Sequence, residues 1–294
     1  MSEVQDAIIL AGGAGTRMLP ASLYAPKETL PLVDTPAINH LIWEAEKAGV
    51  NRVHLVLSER KKIFLNEFLE RRIIHKEEDR VDLPRDSLSL GTMGVDIIPH
   101  IQRKPAGVGD AISVVMEEID GPFLVILGDM VILDSHFAPE SSGPANASNA
   151  SKYLVEAFEE TGLPCVGVSR MGDEELCKFG VVEMDEGMVT RIVEKPSLVV
   201  APSNYVLSGR YLLPAYTSRI LDEYPTTLDS ELQSIYLLEQ LMENEGLCAV
   251  KLEQMKVYDS GDPISWLKSQ IDHALNRQDI GVDLSVWLDE RLNR

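Results

Sequence analysis

Residues 7–36 read AIILAGGAGTRMLPASLYAPKETLPLVDTP and constrain this chain more than any other stretch. Ala7, Ile8, Ile9 and Leu10 form a continuous apolar run, as in a strand buried on both faces of a helix-covered parallel sheet. Gly12, Gly13 and Gly15 follow at once, so the backbone can turn tightly and aim several N–H groups at an anion. Arg17 adds planar cationic donors suited to phosphate, and Lys27 a second cation between Pro26 and Glu28. A strand, a glycine turn and two cations describe a polyphosphate grip. Taken alone, the glycine pattern fits a structural turn equally well.

Two other phosphate grips are excluded. A dinucleotide fingerprint requires a third glycine opening a helix, and Thr16, Arg17 and Met18 follow Gly15 instead. The spacing of a P-loop occurs nowhere in this stretch. Pro20, Pro26 and Pro31 prevent an immediate long helix, so an open loop is expected as far as Thr35 and Pro36.

The rest of the chain alternates strand and helix. Ile38, Leu41, Ile42 and Ala45 recur at helical spacing, Gly49 stops that helix, and 53–57 is a second buried strand, giving a βαβ unit. Within 60–92, one helix around Ile63–Leu69 and a surface excursion over 76–87 are predicted. A strand over 96–101, a helix after Gly107 with Ala111, Ile112, Val115 and Met116 inward, and a strand over 123–127 follow. The stretch APESSGPANASNAS, 138–151, reads as a flexible surface loop. Beyond it come a helix over 153–160 and a strand over 166–169. After 178 the pattern becomes a β-pair, 180–184 with 189–193, and a strand over 205–211. Helices over 214–223 and 228–245, the latter presenting Leu232, Ile235, Leu238 and Met242, precede a strand over 250–252. Asp262 and Pro263 begin a helix with Ile264, Leu267, Ile271 and Ala274 inward. A last helix, 284–292, carries Trp287 and either folds back or meets a second subunit. The expectation is one α/β domain over 1–294, ending in a helical segment from about 262. Its sheet is twisted and mostly parallel, flanked by helices, with added antiparallel strands.

A formal charge of −20 argues against nucleic acid or an anionic membrane as partner. Anionic substrates would need Lys and Arg concentrated at the site and a divalent cation beside them. Cys165, Cys177 and Cys248 form no C-x-x-C pair, which fits reduced packing thiols in the cytoplasm. There is no signal-peptide pattern and no apolar run of the ~20 residues a membrane span needs.

Two carboxylates close strands. Asp129 follows the apolar run 123–127, and Asp259 follows Lys256-Val257-Tyr258 and precedes Ser260-Gly261. Ligands in open α/β sheets bind at such strand ends, and a carboxylate pair suits Mg²⁺. Either aspartate alone is also an ordinary turn residue. Glu194-Lys195-Pro196 offers a positioned cation or a solvated ion pair.

These segments together carry a resemblance. Gly12-Gly13-x-Gly15-Thr16-Arg17 with Pro26-Lys27-Glu28, then Asp129, Phe179-Gly180-Val181-Val182, Glu194-Lys195-Pro196, Ala201-Pro202-Ser203-Asn204 with Gly209-Arg210-Tyr211, and Asp259, occur in order over about 7–277. The set resembles the sugar-phosphate nucleotidylyltransferases, most closely the bacterial-type UTP–glucose-1-phosphate uridylyltransferases. The resemblance implies a Rossmann-like nucleotide-diphospho-sugar transferase fold and a Mg²⁺-dependent transfer from UTP to glucose 1-phosphate, yielding UDP-glucose and pyrophosphate. It implies nucleotide contacts at Ala11, Gly12, Gly13, Gly15, Thr16, Gln102 and Gly107, and sugar contacts at Gly180, Glu194, Lys195 and Asn204. Arg17, Lys27 and Lys195 become the reacting-phosphate cations, and Asp129 and Asp259 the metal ligands. It further implies a homo-oligomer, dimer or tetramer. Leu23 and Ala106 stand where the family commonly has lysine. A thymidylyl- or guanylyltransferase, or a non-catalytic nucleotide-sugar sensor, are the alternative readings.

Overall fold

The computed structural model describes residues 3–62, 94–104, 106–224 and 234–293. The helix expected around 63–69, the excursion over 76–87 and the start of the helix placed at 228 lie outside the described residues. In chain order the first elements are β1 (Asp6–Ala11), α1 (Ala21–Tyr24), β2 (Pro31–Leu32), β3 (Thr35–Pro36), α2 (Ala37–Lys47), β4 (Arg52–Ser58) and β5 (Asp96–Gln102). Then come α3 (Val108–Ser113), β6 (Phe123–Leu127), β7 (Met130–Leu133), α4 (Ala150–Thr161), β8 (Cys165–Arg170), β9 (Gly180–Asp185), β10 (Met188–Glu194) and β11 (Tyr205–Leu213). The chain closes with α5 (Thr217–Asp222), α6 (Ser234–Asn244), β12 (Cys248–Lys251), β13 (Lys256–Asp259), α7 (Pro263–Asn276) and α8 (Gly281–Leu292).

Nine strands form one sheet in the order β5-β4-β1-β6-β11-β8-β12-β10-β9. From β5 to β6 the pairings are all parallel. β11 runs antiparallel to both β6 and β8, and β10 runs antiparallel to β12 and β9. The sheet is therefore mixed rather than mostly parallel, and its antiparallel pairings begin in the interior. Connectivity accounts for the β9–β10 pair, whose strands are joined by a tight turn that permits only antiparallel pairing. The expected parallel βαβ order holds where β1 lies, between β4 and β6.

Successive residues of β1 point to opposite faces, so its unbroken apolar run feeds two cores. Ile9 packs with Leu41, Ile42 and Trp43 of α2 and Leu154 of α4. Ile8 packs with Ile112 of α3 and Leu237, Leu238 and Leu241 of α6. A second, two-stranded sheet joins β7 to β13 antiparallel, with Asp259 opposite Met130. This small sheet carries the late strand to the mouth of the main one.

Several sequence expectations are corrected. The 138–151 stretch forms short 3-10 turns at Pro139–Ser141 and Pro144–Asn146, buries Ala147 and Ser148, and holds Lys47 Nζ at 2.6 Å from the Ala147 carbonyl. On α6 the buried face is Leu237, Leu238 and Leu241, with Ile235 and Met242 half-buried at its edges. On α7 Asp262 caps the helix as expected, accepting from the N–H of Ile264 and Ser265. Of the expected inward face, Ala274 is buried and Ile271 half-buried, but Ile264 and Leu267 are exposed and Ser269 and His273 are buried instead. Polar anchoring decides this, because Gln270 accepts from Val33 N–H and donates to the Pro31 carbonyl, and Ser269 donates to the Asp259 carbonyl. Cys177 is exposed rather than packed, whereas Cys165 is buried. Among the described residues no helix is long and apolar enough to cross a membrane.

Candidate active site

The site begins where β1 and β6 end side by side. Gly128 N–H donates to the Leu10 carbonyl at 3.0 Å, and a Cβ on Gly128 would lie 2.5 Å from that oxygen. Only glycine allows this approach, and it puts Asp129 next to the loop leaving β1. Within the loop Gly15 has φ 66, a left-handed conformation that glycine adopts without strain. Its carbonyl accepts from Ser22 Oγ at 2.8 Å and from Met18 N–H at 2.9 Å, closing a compact turn. Ala11 and Gly12 are buried, while Gly13, Thr16 and Arg17 lie exposed.

Lys27 reaches across this loop. Its Nζ stands 2.7 Å from Asp129 Oδ2, and its Cε lies 4.0 Å from where a Cβ on Gly13 would be. Burial pushes the Asp129 carboxyl up, but the Lys27 ammonium outweighs this and holds it below the usual carboxylate range. Asp259 is brought in by the β7–β13 pairing, with Ser260 N–H donating to the Asp129 carbonyl at 3.0 Å. Burial pushes the Asp259 carboxyl up, and the Asp129 and Asp262 charges push the same way, against the Gly261 N–H and Arg17. A Cβ on Gly261 would lie 2.9 Å from Arg17 Nη2 and 2.7 Å from Asp259 Oδ1, so the guanidinium rests over that glycine. Arg17, Lys27, Asp129, Asp259 and the glycine loop thus converge. Two half-buried carboxylates with hard oxygen donors, one of them raised by the charge of the other, suit a divalent cation.

A buried framework that the sequence reading missed supports this cluster. Lys61 Nζ donates to the Ala11 carbonyl and to Glu28 Oε2, both at 2.7 Å. Burial drives the Glu28 carboxyl up and the Lys61 ammonium down, and their contact offsets part of that penalty. Behind Asp129, Arg210 Nη1 donates to the Met130 carbonyl at 2.8 Å, while Nε and Nη2 grip both oxygens of Glu44 at 2.8 Å. Ser151 Oγ also donates to Glu44, at 2.6 Å. The Gly209-Arg210-Tyr211 motif pointed to this arginine without giving it a role. Nothing in the local sequence marks Lys61.

Gln102 lies at the end of β5. Its Nε2 donates to Asp110 Oδ2 at 2.6 Å and to the Gly107 carbonyl at 3.2 Å. With Nε2 so held, Oε1 faces Gly12, where a Cβ would be 2.8 Å away. The two positions expected to meet the base, Gln102 and Gly107, are therefore in contact and adjoin the loop.

The third group is separate. Lys195 has φ 42, its N–H donates to the Phe179 carbonyl, and its Nζ is 3.1 Å from Glu194 Oε1. A Cβ on Gly180 would lie 3.2 Å from Glu194 Oε2, so Gly180, Glu194 and Lys195 form one cluster. The lysine side chain is 62% exposed, and among the described residues no ion pair joins it to Asp129 or Asp259. Beside Asp259, a cleft of about 300 Å³ is lined by Lys178, Phe179 and Ser269 together with residues of β13 and α7. Asn204 directs its amide to Asp173 Oδ1 at 2.6 Å, away from this cluster's own contacts.

The fold and this convergence define a class: the chain belongs to the nucleotidyl transferase family, whose model matches residues 6–274. The chain is 30% identical over 299 residues to a UTP–glucose-1-phosphate uridylyltransferase of Staphylococcus epidermidis, covering 99% of each. It is 30% identical over 305 residues to the enzyme of the same name from Bacillus subtilis, covering 100% of this chain and 99% of the other. Among solved structures, it is similar to a UDP-glucose pyrophosphorylase from Acinetobacter baumannii, with TM-score 0.80 and 26% identity over 98% of this chain and 99% of that one.

Proposed function

We propose that this protein transfers the uridylyl group of UTP to glucose 1-phosphate, releasing pyrophosphate and forming UDP-glucose. The observation that carries this reading is the convergence of Lys27, Asp129, Asp259 and Arg17 beside the glycine loop, in a chain that matches enzymes of this activity from end to end. An oxygen of the sugar phosphate attacks the α-phosphorus, the bond to the β-phosphate oxygen breaks, and pyrophosphate leaves with that electron pair. The attacking oxygen is already ionised, so no general base is required, and catalysis consists of positioning and charge stabilisation. Asp129 and Asp259 would hold Mg²⁺, which supplies charge neutralisation at the reacting phosphates when bound.

The loop amides from Ala11 to Thr16 cradle the triphosphate, Arg17 faces the departing pyrophosphate, and Lys27 neutralises the reacting phosphates. Gln102, its amide nitrogen held by Asp110 and Gly107, reads the base. Gly180, Glu194, Lys195 and Asn204 form the sugar-phosphate side. Asn204 must exchange its Asp173 contact to serve there.

We read the parallel half of the sheet as Rossmann-like and the chain, 1–294, as one catalytic domain acting in the cytoplasm. Self-assembly into a dimer or tetramer is supported by the apolar side chains the last two helices leave exposed, namely Ile264, Leu267, Val282, Val286, Trp287 and Leu292. The test of the substrate assignment is pyrophosphate release from a panel of UTP, dTTP, GTP and ATP against several sugar 1-phosphates in Mg²⁺. UTP with glucose 1-phosphate should turn over fastest. A faster pair rejects the assignment, and no turnover with any pair favours a sensor.

A further inference from the structure

A second cluster of ligand side chains lies on the face of the sheet covered by α3, and nothing in nucleotidyl transfer uses it. His54 on β4 and His100 on β5 sit on neighbouring parallel strands, with His54 opposite Ile98 and His100 opposite Val56. Both side chains therefore share one face, two residues apart in register. His54 Nδ1 and His100 Nε2 are 2.9 Å apart. Glu118, in the turn that follows α3, brings Oε2 to 3.9 Å from His100 Nε2. The ligand atoms of His54, His100 and Glu118 all lie within 4.8 Å of one another.

The surroundings of His54 fix which of its nitrogens is available. Its Nε2 is 3.0 Å from Asp6 Oδ1, and Asp6 in turn receives Arg52 Nε at 2.7 Å and Nη2 at 2.8 Å. A carboxylate held bidentately by arginine is ionised and only accepts, so His54 Nε2 carries the proton. Its Nδ1 then presents a lone pair to His100 and Glu118. This is the outer carboxylate–histidine arrangement that orients imidazoles toward metal ions. His54 is fully buried and His100 nearly so, which pre-positions both rings, while Glu118 is 54% exposed and its carboxylate can swing inward.

We propose that His54 Nδ1, His100 Nε2 and the Glu118 carboxylate form a binding site for a Zn²⁺-like transition-metal ion, distinct from the Asp129–Asp259 pair. Two imidazoles and one carboxylate favour a borderline metal over Mg²⁺, and water completes the tetrahedron. Tetrahedral binding at about 2.0–2.1 Å places two nitrogens roughly 3.3 Å apart, so the pair need open by only about 0.4 Å. Without metal, His100 donates its Nε2–H to His54. On binding, His100 moves that proton to its Nδ1 by exchange with solvent, and the Nε2 lone pair takes the metal. The site lies two residues before Gln102 on the same face of β5, so the ion would tie β4, β5 and the end of the α3 segment together behind that side chain.

Chelator-treated full-length protein, kept in saturating Mg²⁺ to occupy the nucleotidyl-transfer site, should be titrated with Co²⁺ and read by its ligand-field absorption. One equivalent of four-coordinate Co²⁺ is expected, without the intense thiolate band that binding at Cys165 or Cys248 would give. The signal should persist in Asp129→Asn and vanish in His100→Gln. Glu118→Gln, on an exposed side chain that leaves folding intact, should weaken Co²⁺ binding about tenfold or more and leave Mg²⁺-dependent turnover unchanged. Absence of tetrahedral absorption in the unaltered protein overturns the proposal. So does unweakened binding in Glu118→Gln, even if His100→Gln fails to fold.

Discussion

Lys27 Nζ lies 2.7 Å from Asp129 Oδ2, the lysine largely withdrawn from water and the aspartate half-buried. The contact joins the loop after β1 to the carboxylate after β6, 102 residues apart in sequence. Lys27→Met should lower kcat about 10²–10³-fold, the usual loss of a charge aimed at the reacting group. It should also move the acid limb of the pH–rate profile to higher pH, because burial of the Asp129 carboxyl is then opposed only by a backbone hydrogen bond and Arg17. Steady-state kinetics over pH 5–9 measure both, and an unshifted acid limb removes Lys27 from the control of Asp129.

Arg210 and Glu44 are both fully buried and paired through two hydrogen bonds of 2.8 Å. Removing one partner strands a charge, so Arg210→Met or Glu44→Met should each destabilise by about 3–5 kcal/mol. The double variant should lose much less than the sum. Because Arg210 also holds the Met130 carbonyl, the double variant should keep a weakened response to Mg²⁺ even where it folds. Denaturant melts and metal titrations of the four proteins check this, and additive losses contradict a coupled pair.

Lys195→Ala should raise KM for glucose 1-phosphate about 10- to 100-fold, the worth of a charge-assisted contact to phosphate. KM for UTP should change little, since Lys195 makes its contact with Glu194 rather than with the loop after β1. Equal rises in both constants would contradict the division into a nucleotide side and a sugar side.

Two buried histidines set an acid limit on stability. Burial, and then the neighbouring His273, holds His40 down at about 3. Burial, His136 and Arg277 hold His273 at about 4. Unfolded histidine titrates near 6.5, so the unfolded chain binds more protons below that pH. Stability is fully present above about 6.5 and is lost as pH falls toward 4 and then 3. The carboxylates held low, including Asp6 and Asp129, lose their contribution only below their ordinary value of 3.8. Thermal midpoints should therefore fall already between pH 6.5 and 4, and His273→Gln should flatten that part of the curve. An unchanged slope in the variant would assign the loss elsewhere.

Much of the site was legible because its chemistry is local. A buried strand followed by glycines, and carboxylates closing strands, are sequence-adjacent signals, and the structure brings Arg17, Lys27, Asp129 and Asp259 to one place. What the sequence hid depends on distant partners. Glu44 sits on the buried face of α2, and only Arg210, 166 residues away, explains a charge there. Lys61 looks like one cation among several until its contacts with Ala11 and Glu28 are seen. At the start of α7 the apolar spacing misleads, because Gln270 and Ser269 anchor the helix by hydrogen bonds and Ile264 and Leu267 point outward. Asn204 was assigned by its motif, while its amide is spent on Asp173.

The central claim is that Asp129 and Asp259 form one metal-dependent centre with Lys27. Pyrophosphate release from UTP and glucose 1-phosphate as a function of Mg²⁺, compared between the unaltered protein and Asp129→Asn, tests it most directly. The expected result is saturable Mg²⁺ dependence in the unaltered protein and a loss of at least about 10²-fold in Asp129→Asn at any Mg²⁺ concentration. Near-normal turnover of Asp129→Asn in Mg²⁺ would contradict the assignment.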